Sequence, residues 1–167
     1  MIRAIVVVDA KWGIGKKNDL LFSLPEDMKF FREKTSGQTV CMGYNTLLSF
    51  PGSKPLKNRK NIVICPDGIE VDGATCVHDI PSMLSAIAGS DTDVYVIGGA
   101  MFYKTMLPYC EEVYATKVDA DGGAEVFYEN LDEREDFRCV YESDPVRSGE
   151  YSIRFTTYKN LAVKSVK

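Results

Sequence analysis

The sequence predicts an α/β protein with a mostly parallel sheet, covering helices and an antiparallel edge at its C-terminal end. Short apolar or β-branched runs alternate with helical stretches through the first two-thirds of the chain, which is typical of parallel strands joined by helical crossovers. The last third contains strand patterns only, which favours antiparallel pairing there. The 167 residues show no internal repeat, low-complexity tract or linker-like stretch, so we expect one domain spanning 1–167.

The individual elements follow from local periodicity and from the residues that interrupt it. Strands are predicted at residues 2–8, 39–42, 61–65, 93–97, 112–117, 137–141 and 151–158. Helices are predicted at residues 25–35, 44–49, 80–88 and 100–107. Ser23 and Glu26 have the spacing of a capping box for the first helix, in which Pro25 suits the first turn. Turn clusters at 51–55, 66–68, 71–73 and 121–123 separate the elements.

Composition restricts the class of protein. Hydrophobic residues make up 45% of the chain and charged residues 26%, which is ordinary globular usage. The net charge of -4 and the pI of about 5.1 disfavour a nucleic-acid binder, which needs a basic face. The apolar run at the N-terminus is too short for a signal peptide, and no stretch has the length of a membrane span. We therefore expect a soluble protein.

The cysteines indicate reduced thiols. Cys41, Cys65, Cys76, Cys110 and Cys139 form an odd set without a CxxC pair. A metal site is disfavoured by this spacing and by the presence of a single histidine. The sequence therefore predicts no metal, and core thiols in a cytoplasmic protein.

Asp27 is the first candidate functional residue. It lies four residues before Phe31, so both side chains point to one face of the predicted helix, beside Leu24 and Met28. A carboxylate on an apolar face is costly unless something pairs with its charge. The alternative is a first-turn aspartate that complements the helix dipole in water. Local pattern alone favours this second interpretation.

Two glycine-containing turns are candidates for approaching a ligand. Gly98-Gly99 joins a buried-strand pattern to a helix, where free N–H groups suit phosphate, although a tight turn without a ligand is the alternative. Gly13 and Gly15 form a weaker motif, because Asn18 stands where the dinucleotide fingerprint has its third glycine. A classical Rossmann interpretation of this motif therefore fails. The segment is either a glycine-bearing loop over a site or a plain connecting loop.

A basic segment precedes the strand predicted at 61–65. It contains Lys54, Lys57, Arg59 and Lys60. Arginine suits bidentate carboxylate binding, so an anionic ligand could be received here. A solvated charged loop is the alternative.

Taken together, these motifs occur in one order over nearly the whole chain. They are Ile14-Gly15, Leu24-Pro25-Glu26-Asp27-Met28, Val40-Cys41-Met42-Gly43, Thr46, Leu56, Arg59-Lys60-Asn61-Ile62, Ile97-Gly98-Gly99 and Tyr114-Ala115-Thr116. In this arrangement the chain resembles the dihydrofolate reductase family. The ordered set is specific, and it favours the functional interpretations of Asp27, Arg59 and Gly98-Gly99.

The resemblance implies a fold and an activity. The fold is a three-layer one, with a mixed sheet of about eight strands and about four helices. The activity is NADPH-dependent reduction of 7,8-dihydrofolate to 5,6,7,8-tetrahydrofolate, with hydride to C6 and a proton to N5. It also implies a cytoplasmic monomer that binds antifolate-like molecules, and neither nucleic acid nor a membrane.

The resemblance also implies roles at the substrate. Asp27 would hold the pterin ring, supported by Thr116, while Tyr103 would lie near the nicotinamide and stabilise developing charge. Phe22 stands where the family commonly has a tryptophan, and so lacks the indole donor for a pocket water. Apolar walls would be formed by Ile5, Met28, Phe31, Leu56 and Ile97, and the glutamate tail would meet Arg59 and Lys54. The loop from Asp9 to Ser23 would close over the site.

The resemblance also implies cofactor contacts, although some of these positions lack the residue type that the family usually has there. The positions implied are Val7, Ile14, Gly15, Gly43, Tyr44, Asn45, Thr46, Cys65, His78, Ile97, Gly98, Gly99, Ala100, Met101, Phe102 and Tyr103. Tyr44 and Met101 stand where the family often has a cation. Cys65-Pro66 replaces a polar pair at the 2′-phosphate, and His78 is a partial compensation or an exposed loop histidine. NADPH is expected on family grounds, with NADH use left open.

Two rival functions are weighed against this one. A reductase of the riboflavin pathway shares the fold and cofactor but lacks the Leu-Pro-x-Asp element together with a tail-binding arginine. A non-catalytic folate- or nucleotide-binding module would not need Asp27, Thr116, Gly98-Gly99 and Tyr103 together.

Overall fold

The computed structural model describes residues 1–16 and 21–166. Its strands are β1 (Ile2–Val8), β2 (Gly13–Gly15), β3 (Thr39–Gly43), β4 (Lys60–Ile64), β5 (Thr75–Val77), β6 (Val94–Val96), β7 (Glu112–Val118), β8 (Val126–Phe127), β9 (Phe137–Glu142), β10 (Val146–Ser148) and β11 (Tyr151–Asn160). Its α-helices are α1 (Pro25–Thr35), α2 (Tyr44–Leu48), α3 (Ile80–Ala88) and α4 (Ala100–Met106). Short 3-10 turns occupy Pro51–Ser53, Leu107–Tyr109 and Leu131–Glu133.

Most of the strands pair into one mixed sheet. The order is β10-β11-β7-β1-β6-β3-β4-β5, and β9 pairs with the far part of β11. The pairs from β7 through β1, β6, β3 and β4 to β5 are parallel, whereas β11 runs antiparallel to β7, β9 and β10. The prediction of a mixed sheet with covering helices and an antiparallel C-terminal edge is confirmed.

Side-chain alternation along β1 shows why helices cover both faces of the sheet. Ala4, Val6 and Val8 belong to one buried cluster, which also contains side chains of α3 and α4. Ile5 belongs to a second cluster, which contains side chains of α1 and α2. Because successive strand residues point to opposite faces, a continuous apolar run has to be covered on both. The result is three layers.

Local details differ from the sequence prediction. The strands β2, β5, β8 and β10 are two or three residues long, too short for a periodic pattern. The Ser23–Glu26 capping box does not form, because Leu24 is the N-cap of α1 without a side-chain cap bond. Glu26 instead accepts a hydrogen bond from Ser148. Within the described residues, no helix has the length and apolarity needed to cross a membrane.

Candidate active site

The carboxylate of Asp27 meets the hydroxyl of Thr116 where α1 packs beside the central sheet. Asp27 lies in the first turn of α1. Thr116 lies on β7, opposite Val7 of β1. The Thr116 hydroxyl donates to Asp27 Oδ1 at 2.6 Å. The sheet register therefore places a donor against a carboxylate that is far away in sequence.

The electrostatic setting of Asp27 is that of a functional acid. Burial raises its pKa above the ordinary value, and the hydrogen bond from Thr116 acts in the opposite direction. Among residues 1–16 and 21–166, no cationic group lies within ion-pairing distance of this carboxylate. A half-buried acid without a cation is poised to accept hydrogen bonds from a ligand.

Apolar side chains predicted as pocket walls are brought together. Ile5 is buried in the cluster on the α1 face, and Phe31, Leu56 and Ile97 pack against the same cluster while keeping exposed surface. Met28 is 58% exposed and lies outside this cluster. These four side chains therefore pack together, whereas Met28 is not part of their cluster.

Arg59 is a cation without an ion-pair partner among residues 1–16 and 21–166. Its turn is held by Asn61, whose amide donates to the carbonyl oxygens of Leu56 and Arg59 and whose oxygen accepts from the Leu56 N–H. The Arg59 Nε is buried and unbonded within the described part of the chain. Its guanidinium carbon lies 5.8 Å from the centre of the Phe31 ring. Burial and the neighbouring charge of Arg32 lower the pKa of Arg59, so an anion placed here would be stabilised.

Tyr103 is anchored at the junction of α4 and β1. Its hydroxyl donates to the carbonyl oxygen of Ile5 at 2.8 Å. Burial raises its pKa, and the negative charge of Asp27 raises it further. Its single hydroxyl proton is used by Ile5, so Tyr103 fixes its ring position rather than offering that proton elsewhere.

The Gly98-Gly99 turn lies at the carboxyl ends of β3 and β6. The two glycines are joined by a cis peptide bond, and Gly98 has a φ of 137°, which side chains rarely adopt. Gly98 accepts a hydrogen bond from the Gly43 N–H at 2.9 Å. A Cβ on Gly98 would lie 3.2 Å from Thr46 Oγ1. The backbone of Gly98 therefore approaches Thr46 in a conformation that favours glycine, whereas a Cβ on Gly99 would make an ordinary contact with Thr46 Oγ1 at 3.5 Å.

The predicted cofactor residues differ widely in burial and in the contacts that their side chains make. The Cys65 thiol is buried, and burial together with Cys76 raises its pKa to about 12. Phe102 packs in the core cluster on the α4 face. His78 Nδ1 lies 3.0 Å from the Cys65 carbonyl oxygen. Met101 is 80% exposed. The cofactor roles of these residues stay predictions.

The remaining predicted residues have varied exposure. Gly15 is buried, Lys54 and Asn45 are exposed, and partial exposure is found for Val7, Ile14, Gly43, Tyr44, Thr46, Gly99 and Ala100. Phe22 packs edge-on against Tyr151, with ring centres 4.9 Å apart. The predicted closing loop includes residues 17–20, which lie outside the described residues. Asn18, which stands where the dinucleotide fingerprint has its third glycine, is one of them.

Sequence reasoning missed Asp9 as a structural anchor. Its Oδ1 accepts from the N–H groups of Lys11 and Gly13, and its Oδ2 accepts from that of Gly122. Asp9 is 3% exposed, so a buried carboxylate joins the loop after β1 to the loop after β7. An aspartate directly after a buried strand and four residues before a glycine was the available signal.

Comparisons with known proteins agree on one family. Residues 1–160 match the family model described as dihydrofolate reductase. The dihydrofolate reductase of Bacillus subtilis is 38% identical over 135 residues, covering 80% of this chain and 78% of that protein. The dihydrofolate reductase of Buchnera aphidicola is 37% identical over 120 residues, covering 72% and 73%.

A solved structure is similar over nearly the whole chain. It is the dihydrofolate reductase from Enterococcus faecalis complexed with NADP(H) and RAB-propyl. The TM-score is 0.86 at 27% sequence identity, and 96% of each chain is covered.

Proposed function

This chain belongs to the dihydrofolate reductase family, and from this premise we propose that it reduces 7,8-dihydrofolate to 5,6,7,8-tetrahydrofolate with NADPH. The observation that carries the proposal is the hydrogen bond from Thr116 to Asp27. It is supported by the apolar cluster around Ile5 and by the buried Arg59 Nε, which has no hydrogen bond within the described residues. In dihydrofolate, the pterin ring needs an acid to bind it, and the benzoyl group needs an apolar passage. The glutamate tail needs a cation.

Asp27 orients the pterin. A carboxylate can accept two parallel hydrogen bonds, one from a ring N–H and one from the adjacent amino group, and its charge strengthens both. Thr116 holds Oδ1 by its donated bond, so the carboxylate is fixed before substrate arrives. Such preorganisation lowers the entropic cost of reaching the reactive geometry.

Arg59 binds the α-carboxylate of the glutamate tail, with Lys54 at the rim. Its guanidinium lies over the Phe31 ring at cation–π distance, and its buried Nε has no hydrogen bond within the described residues. A planar guanidinium matches a carboxylate with two donors. Binding of the tail would therefore satisfy a buried donor that is otherwise unpaired.

The residues around Gly98-Gly99 fit a nicotinamide cofactor, because a Cβ would fill the close approach beside Thr46. When bound, NADPH supplies the hydride for C6 of the substrate. Ile14, Thr46 and Gly98-Gly99 would hold it, and Tyr103 would define the wall beside the nicotinamide. These residues align two reacting groups and exclude water between them.

Proton delivery to N5 uses the charge of Asp27 rather than direct contact. The ionised carboxylate favours a proton on the nearby pterin, and a water molecule carries that proton to N5. The raised pKa of Asp27 places its titration nearer to the working pH than that of an ordinary aspartate. Closure of the loop from Asp9 to Ser23 would limit access of bulk water.

Further parts of the proposal concern the protein as a whole. We propose one domain over 1–167 that acts as a monomer in the cytoplasm and binds neither nucleic acid nor a membrane. All five cysteines are free, which suits a reducing compartment. The net charge of -4 disfavours polyanion binding.

An absorbance assay with dihydrofolate and NADPH tests the function. Loss of the nicotinamide absorbance that depends on dihydrofolate is expected. Binding of both molecules without any absorbance loss would instead indicate a non-catalytic binding module and would overturn the proposal.

A further inference from the structure

The sheet order indicates where the adenosine half of a bound dinucleotide lies. Ligands of open α/β sheets bind outside the carboxyl ends of the parallel strands. From β6 the neighbours are β3, β4 and β5, which span about 14 Å at a strand spacing of about 4.8 Å. The reacting end belongs beside Tyr103 and Asp27. An extended dinucleotide therefore reaches the carboxyl ends of β4 and β5 with its adenosine ribose.

The segments at this edge of the sheet contain neither lysine nor arginine. Residues 43–49, 65–79 and 98–103 contain no lysine or arginine, and 65–79 contains four acids. These acids are Asp67, Glu70, Asp72 and Asp79. A 2′-phosphate is normally met by arginine, whereas a carboxylate suits a free ribose 2′-hydroxyl. The charge at this edge thus disfavours the phosphate that distinguishes NADPH from NADH.

The side chains after β4 do not supply the missing donors. The Cys65 thiol is buried among apolar side chains, and the pKa raised by burial keeps it neutral. Pro66 is exposed but has no N–H to donate. Neither residue can hold a phosphate through the group that it presents.

The one histidine at this edge is already engaged. His78 Nδ1 lies 3.0 Å from the Cys65 carbonyl oxygen, and its Nε2 lies 3.9 Å from Glu70 Oε1. The Glu70 side chain is 79% exposed, so its negative charge is presented to solvent at this edge. Asp79 accepts the Ser82 N–H at the start of α3, which lowers its pKa and keeps it charged.

We infer that the negative charge of Glu70, which lies beside His78, makes this enzyme discriminate only weakly between NADPH and NADH. The inference rests on the proposed function only in that the chain binds a nicotinamide dinucleotide. A charge-assisted hydrogen bond is worth about 10- to 100-fold in affinity. Without such bonds to the 2′-phosphate, the dissociation constants of NADPH and NADH differ by less than about tenfold.

Calorimetric titration of the full chain with NADPH and with NADH tests this directly. Glu70→Gln removes the opposing charge, so the affinity for NADPH should increase about three- to tenfold while that for NADH stays within about twofold. Glu135→Gln makes the same change of net charge at an exposed position before β9 and should alter neither affinity.

A second pair of variants tests the effect of adding a positive charge at this edge of the sheet. Pro66→Lys places a cation after β4 and should tighten NADPH binding about tenfold, with little effect on NADH. Pro66→Ser changes the backbone without adding charge and serves as its control.

The outcomes separate this inference from the proposed function. NADPH binding more than about tenfold tighter than NADH, or an equal response of both cofactors to Glu70→Gln, would overturn the inference and leave the reductase activity standing. If neither NADPH nor NADH bound, both the inference and the proposed function would be wrong.

Discussion

Thr116 and Asp27 form a hydrogen bond of 2.6 Å across 89 residues of sequence. The bond exists because β7 pairs in parallel with β1 and presents Thr116 to the first turn of α1. A surface aspartate needs no such partner. The relationship marks Asp27 as a half-buried acid whose charge form is controlled by its surroundings.

Asp27→Asn should lose most turnover at neutral pH, by about 100-fold or more, because general acid–base assistance is typically worth that much. Cofactor affinity should be largely kept, because Asp27 is proposed to contact the substrate and not the cofactor. Steady-state kinetics and NADPH titration measure the two quantities. Nearly intact turnover would show that the role assigned to Asp27 is wrong.

The same variant should be more stable than the unmodified chain at neutral pH. Burial raises the folded-state pKa of Asp27 above its ordinary value of 3.8, so its favourable contribution is present at low pH and is lost as the pH rises through the folded pKa. Asn has no charge to desolvate. Thermal melts should show a higher Tm for Asp27→Asn at pH 7 and a smaller difference below pH 3.8.

Thr116→Val should shift the acidic limb of the kcat–pH profile upward. The Thr116 hydroxyl lowers the pKa of Asp27, so its removal leaves the desolvation effect unopposed. Thr116→Ser retains the donor and is the matched control. Identical profiles for the Val and Ser variants would argue against this coupling.

Arg59→Lys should raise the KM for dihydrofolate by about 10- to 100-fold with little change in kcat, because a planar two-donor contact is lost. Lys57→Gln removes a positive charge from the same segment, at an exposed position, and should have a small effect. A pterin substrate without the glutamate tail should respond equally little to both variants. A fall in kcat at unchanged KM would contradict the assigned role.

Tyr103→Phe and Tyr128→Phe should differ in stability although both tyrosines are buried and their rings lie 5.2 Å apart. The Tyr103 hydroxyl bonds Ile5, so its removal should cost about 1 to 2 kcal/mol. The Tyr128 hydroxyl has no partner in the described part of the chain, so its removal should be neutral within about 0.5 kcal/mol. Urea unfolding measures both, and equal losses would contradict the expectation.

Phe22→Trp should leave kcat within about tenfold of the unmodified value and alter the pH profile modestly, because it adds an indole donor to an aromatic body already present. Phe22→Leu removes the aromatic contact with Tyr151 and is the comparison variant. A complete loss of activity in Phe22→Trp would show that the placement of this loop is wrong.

Periodic segments were predictable from sequence. The predicted bounds of β1, α1 and α3 agree with the structure, because each has a continuous apolar or helical pattern and clear turn residues beside it. The predicted capping box of Ser23 and Glu26 was wrong, because Leu24 is the N-cap of α1. Glu26 instead accepts a hydrogen bond from Ser148, a residue that is brought next to it only by folding.

For the site, sequence determined which chemical groups are available and in what order, and this was sufficient to indicate the family. Local pattern at Asp27 still favoured a water-facing aspartate. The ordered motifs favoured a functional Asp27, but only the tertiary structure shows the burial and the hydrogen bond from Thr116, because both depend on the parallel register of β1 and β7. Burial and pairing are properties of groups brought together from distant positions, and no short window of sequence contains both partners.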